Sequence, residues 1–193
     1  MLTDIRRGVI ALVAFTVICG LLYPLLMFGV GQVAFRGATD GSLVRRNGRV
    51  VGSALIGQSF TDPRYFWGRP SAAGPDGYDP TASGASNLGP TSKKLAGTIA
   101  ERVDALLKAN PGKTAADIPV ELVTASGSGL DPNISPAGAE FQVERVAQAR
   151  GLDVEAVRRL VEEHTQGRDL GVLGEPRVNV LRLNLALDGG GGR

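Results

Sequence analysis

The segment Thr124-Ala-Ser-Gly-Ser-Gly-Leu-Asp131 holds the residue types most easily read as chemistry. Glycine-rich turns can aim several backbone N–H groups at an anion, so the run invites a phosphate cradle. It lacks the Gly-Lys-Ser/Thr ending that completes a nucleotide-binding P-loop. Ser126 and Ser128 also invite a nucleophile, for which a base is required. The only histidine of the chain, His164, follows Glu162-Glu163 at the end of a charged helical pattern. There an imidazole is favoured by the helix dipole without any catalytic task. One serine and one histidine do not define a triad, so an anchored extracytoplasmic hydrolase stands only as an alternative reading, beside an anchored scaffold with an unknown partner. Asp76 and Asp79 share a loop, where carboxylates cap turns; nothing in their spacing marks a glycosidase pair. No catalytic residue and no metal site is assigned.

Charge excludes other classes. Among 193 residues, 21 are basic and 19 acidic, a formal net charge of +2. No basic stripe interrupts this balance, which speaks against a nucleic-acid partner. A lone cysteine, Cys19, allows no internal disulfide.

The elements that must position these residues begin with an anchor. No residue from Gly8 to Phe35 is charged, while Arg6, Arg7 and Arg36 flank the run. As a helix it would span roughly 40 Å, enough for the ~30 Å core of a bilayer. It is about twice as long as the apolar core of a cleaved signal and no small-x-small site follows, so a retained transmembrane helix is predicted. Pro24 and Gly20 are tolerated in such a setting. Sidedness stays open by charge, because Arg6 and Arg7 are answered by Arg36, Arg45, Arg46 and Arg49.

Beyond the anchor the patterns predict one α+β domain, residues 37–188, following an anchor unit of residues 1–36 and preceding a flexible tail of residues 189–193. Asn47-Gly48 between Leu43-Val44 and Val50-Val51 marks a hairpin. A helix is expected from Thr91 to Asn110, capped by Thr91 or Ser92. Ile118–Thr124 reads as a strand. Ser135-Pro136 opens a second helix that Gly151 ends, and Asp153 caps a third ending near Gly167. Pro176–Asp188 reads as a long strand, since Leu181, Leu183, Leu185 and Leu187 alternate.

Two segments resist this scheme: Gly68–Ser92 and Ala125–Pro136, both poor in charge and rich in small residues. The first has a linker's composition, yet Tyr65-Phe66-Trp67 precedes it and Tyr78 and Asn87 lie within it. Small-residue loops pack close to other backbone and present donors and acceptors, as suits a subunit held in a complex. Tyr65, Phe66 and Trp67 suit a core or a protein interface.

Six blocks carry a resemblance. GSALIGQSF (52–60), YFWGRPSA (65–72), YDPTASGASNLGPTS (78–92), PVELVTASGSGLDPNISPAGA (119–139), QVERVAQARGL (142–152) and PRVNVLRLNLALD (176–188) resemble the C subunits of the bacterial Kdp potassium-transporting ATPase, as does Tyr23-Pro24-Leu25 in the anchor. The resemblance implies a single-pass subunit of the bacterial inner membrane, with a cytoplasmic N-terminus and a soluble domain outside. It implies three partners: a channel-like potassium-binding subunit, a P-type ATPase subunit, and a small one-helix subunit. ATP and potassium are handled by that complex, with no cofactor held tightly by this chain. One account of the family has a catalytic chaperone that raises ATP affinity through a signature-like motif, here Ser126, Gly127, Ser128 and Gly129 with Gln142. Another has a cap over the potassium entrance. Either way, Gly68–Ser92 is expected to be ordered, to pack back through Tyr78 and Leu88, and to face the channel-like subunit, with Tyr65, Phe66, Trp67, Tyr78 and Asn87 as interface candidates.

Overall fold

The computed structural model describes residues 1–189. They form two compact units, the first Met1–Val51 and the second from Gly52 onward.

In the first unit one continuous apolar helix runs Leu2–Ala34, with 33 residues and no burial within the chain. Helix α1 (Leu2–Val17) and helix α2 (Tyr23–Ala34) are joined by a π turn, Ile18–Leu22. The cause is Pro24, which has no N–H and whose ring crowds the carbonyl four residues earlier. Widening the helix by one residue admits the ring, and the Tyr23 N–H donates to Ile18 O, five residues back. The short helix α3 (Arg36–Thr39) and a hairpin of β1 (Leu43–Arg46) and β2 (Arg49–Ser53) follow. Asn47 at φ 50° and Gly48 at φ 77° make the primed turn that their types favour.

The second unit is built on helices. Helix α4 (Lys93–Ala109) is capped by Ser92, which accepts from the Leu95 N–H. Helix α5 (Pro136–Arg150) is capped by Ser135 and closed by Gly151 at φ 64°; helix α6 (Val154–Glu163) is capped by Asp153. Strands β3 (Asn133–Ile134), β4 (Thr165–Gln166) and β5 (Arg177–Asn179) form a small antiparallel sheet in the order β3-β5-β4. The register sets Ile134 and Thr165 opposite Val178. Phe66, Ile134, Val143, Val146, Val157, Val178 and Leu183 fill the core.

Three expectations are corrected. Pro176–Asp188 is not one strand: after β5 the chain turns into helix α7 (Val180–Gly189). The Asn179 carboxamide caps it, accepting from the Arg182 N–H at 3.1 Å. Val180, Leu183, Asn184 and Leu187 form the buried stripe at helical spacing. Ile118–Thr124 is not a strand either, since a 3₁₀ turn spans Val120–Leu122. There Leu122 and Val123 are both buried while Val120 is 72% exposed. Two buried neighbours do not fit a strand with one covered face. Helix α6 stops at Glu163, and Thr165-Gln166 joins the sheet, so the helix does not reach Gly167. The glycine tail from Gly190 on lies outside the described residues.

Candidate functional site

The two small-residue segments come together. The Ser126 N–H donates to Pro70 O at 3.2 Å, and the Gly84 N–H to Ser128 O at 2.9 Å. The Ser71 hydroxyl donates to Gly129 O at 2.6 Å and the Ser83 hydroxyl to Ser128 O at 3.0 Å. Glycine is needed where they cross. Gly129 sits at φ +69°, and a Cβ there would lie 2.7 Å from both Ala73 N and Gly84 O. Ser71 Oγ also accepts from the N–H groups of Ala73 and Tyr78, and the Tyr78 hydroxyl donates to Arg69 O at 2.5 Å. Gly68–Ser92 is thus stitched to its own domain through Tyr78, with Leu88 half-buried. Asn87, exposed at φ 51°, occupies a left-handed position that asparagine tolerates.

Within and just after the serine-glycine run, two N–H groups that could face an anion have internal partners. The Gly129 N–H donates to Ser126 O at 3.3 Å and the Leu130 N–H to the Ser128 hydroxyl at 3.1 Å. Ser126 is buried, while Gly127 and Ser128 are exposed.

Gln142 lies fully buried on α5, where its carboxamide grips the backbone of Trp67 like a strand partner. Its Oε1 accepts from the Trp67 N–H at 2.8 Å and its Nε2 donates to Trp67 O at 3.1 Å. Asn184 on α7 does the same to Phe66, at 2.8 and 2.9 Å. Two consecutive residues are therefore clamped by two buried amides from different helices. Phe66 is consequently fully buried in the core, whereas Tyr65 and Trp67 remain half-buried. The Tyr65 hydroxyl donates to Asp188, which also pairs with Arg150 at 2.8 Å.

Arg145 completes the clamp. Its guanidinium donates to Pro63 O, Tyr65 O and Gln142 Oε1, and lies 4.1 Å from the centre of the Trp67 ring. Burial pulls its pKa down to about 10, opposed by the charge of Asp62.

Beside the clamp opens a cavity of about 320 Å³, lined in part by Phe60, Trp67, Arg69, Tyr78, Arg102 and Gln142. Burial, reinforced by the charge of Asp131 and opposed by Arg69, pushes the Tyr78 phenol up to about 12. Burial also lowers the pKa of Arg102, whose guanidinium donates to Val123 O at 2.8 Å. His164 caps the C-terminus of α6, with Nδ1 at 2.9 Å from Leu160 O. A carbonyl can only accept, so Nδ1 is the protonated nitrogen in that contact.

The family resemblance brings Gln142 forward, but neither Asn184 nor Arg145. Both stand on helices among apolar residues, and a buried polar group flanked by core positions was the available signal.

A family model described as KdpC, K+-transporting ATPase, c chain, matches residues 5–189. A relative from Sorangium cellulosum named as the potassium-transporting ATPase KdpC subunit is 60% identical over 98% of this chain and 99% of its own length. Relatives of the same name from Gemmatimonas aurantiaca and Nitratidesulfovibrio vulgaris are 59% and 56% identical, covering 97% and 100% of this chain and 94% and 98% of their own. With the anchor, the paired loops and the clamped aromatic run spanned by these matches, the chain belongs to the KdpC family, the c chain of the potassium-transporting ATPase.

Proposed function

We propose that this chain is a non-catalytic accessory subunit of a high-affinity, ATP-driven potassium importer, needed for its assembly and activity. Its N-terminus lies in the cytoplasm and its soluble domain on the outer face of the inner membrane. It works with a channel-like potassium-binding subunit, a P-type ATPase subunit and a small one-helix subunit, which handle potassium and ATP. A catalytic-chaperone effect on ATP affinity is exerted through subunit contacts, not through nucleotide ligation by Ser126, Gly127, Ser128, Gly129 and Gln142.

The observation that carries this reading is the engagement of those groups. The four carboxamide contacts of Gln142 all lie inside its own domain, to Trp67, Gly138 and Arg145. The Ser126 and Gly129 N–H groups serve Pro70 O and Ser126 O. The internal engagement of Gln142, Ser126 and Gly129 supports a structural role for the motif over phosphate ligation.

The test is a gentle-detergent pull-down of the tagged chain from cells grown at low potassium. A P-type ATPase and a channel-like subunit are expected to come with it. Recovery of the chain alone, with both subunits expressed, refutes the role. For sidedness, Glu162→Cys in a Cys19→Ala background should react with an impermeant maleimide in intact cells. Labelling only after lysis reverses the orientation.

A further inference from the structure

The connection between β4 and β5 ends in a tight turn that the accessory role does not explain. The Asp169 N–H donates to Leu173 O at 2.8 Å and the Leu173 N–H to Asp169 O at 2.9 Å. Leu170 at φ 53° and Gly171 at φ 78° reverse the chain between them. Two ion pairs brace the base, Arg168 with Glu175 at 2.8 Å and Arg177 with Asp169 at 3.2 Å. Arg177 belongs to β5, so the brace is rooted in the sheet.

At the tip, Leu170 is 90% exposed, Val172 72% and Leu173 58%. Neither of the usual reasons for a leucine holds at position 170. Left-handed backbone favours glycine or asparagine, and exposed apolar surface is unfavourable in water. What the residue contributes is the apolar surface it shows. Three apolar side chains held out on a braced frame are a preformed anchor, which loses little conformational freedom on docking.

The charges of the collar bear on the occupant. Arg168, Asp169, Glu175 and Arg177 neutralise one another, so the tip presents no net charge. An anionic membrane surface selects basic residues beside the apolar ones, and a charged protein socket selects the opposite charge. A neutral collar around an apolar tip fits an apolar socket with an uncharged rim. We infer that the Asp169–Leu173 turn is the anchor by which this domain docks into such a socket on a neighbouring protein subunit of the potassium pump. The inference rests on the subunit role proposed above.

The experiment uses the full complex in its own membranes. A photo-crosslinking amino acid at Leu170 should join this chain to another pump subunit. Leu170→Asp and Leu173→Asp should each lower co-purification of the pump by about tenfold, as loss of a central anchor does. Leu170→Gly separates anchoring from folding: it relieves the left-handed backbone and should raise the melting temperature of the chain by roughly 2–4 °C while still weakening co-purification. Co-purification of both Asp variants at the wild-type level overturns the inference, as does a crosslink to lipid or to a second copy of this chain. If the wild-type chain itself brings no pump subunit, the subunit role has failed, and the anchor falls with it.

Discussion

Replacing Gln142 by leucine tests whether the buried amide holds the aromatic segment in place. The substitution keeps the approximate volume and removes four contacts: to the Trp67 N–H and carbonyl, to Gly138 O, and from Arg145. Gly138 O sits within α5, so its loss is minor. The Trp67 N–H, the Trp67 carbonyl and one guanidinium N–H are left without these partners, at about 1–3 kcal/mol each. Burying leucine returns about 1.5–3 kcal/mol, leaving a net loss on the order of 4 kcal/mol. Against a total stability of about 5–15 kcal/mol, that is a severe defect. The assay is denaturant unfolding of the full-length chain in detergent, followed by the fluorescence of Trp67, the single tryptophan. The expected result is a large fall in the midpoint with a red-shifted native emission. A variant within about 1 kcal/mol of wild type would refute the claim that these hydrogen bonds, and not apolar packing, fix the segment.

Three further outcomes are expected. Gly129→Ala should cost about 2–5 kcal/mol, from its left-handed backbone and the contacts a Cβ would make with Ala73 and Gly84. Gly127→Ala, with nothing within 4 Å, should stay within about 0.5 kcal/mol; thermal melts compare the two. Because burial pushes the folded Tyr78 phenol up to about 12 from an ordinary value of about 10, the unfolded chain releases its proton first. Tyr78 therefore stabilises the fold fully below about pH 10 and loses that contribution as pH rises towards 12. Tyr78→Phe should abolish this part of the alkaline decline, read as the difference between the two pH–stability curves. Lastly, His164→Ala and Ser128→Ala should leave ATP hydrolysis by the complex unchanged; loss of turnover in either would overturn the purely structural reading of these two residues.

Local signals are legible where a single residue type dictates geometry. Asn47-Gly48, Ser92, Ser135, Gly151 and Asp153 each stand in the sequence with a turn or cap role, and each plays it. The failure at Pro176–Asp188 has a physical cause. Leucines at 181, 183, 185 and 187 satisfy a period of two, while 180, 183, 184 and 187 satisfy the helical period. What decides is Asn179 as a cap and the absence of β-branched residues after Val180, both of which favour helix. The clamp was less legible. Helix α5 is buried around most of its circumference, so Gln142 and Arg145 look like a polar face although they point into the core. Their partners are backbone atoms of Tyr65 and Trp67, about 80 residues away, and no local pattern encodes such a pairing.

The π turn at Ile18–Leu22 has a consequence for how the membrane helix is addressed by its surroundings. One extra residue in a helix of 3.6 residues per turn rotates everything beyond it by about 100°. Residues of α1 and α2 that an ideal helical wheel would align on one side point in different directions. A substitution scan of the span would thus produce two sensitive stripes out of phase, changing step across Ile18–Leu22, where a straight helix would give one.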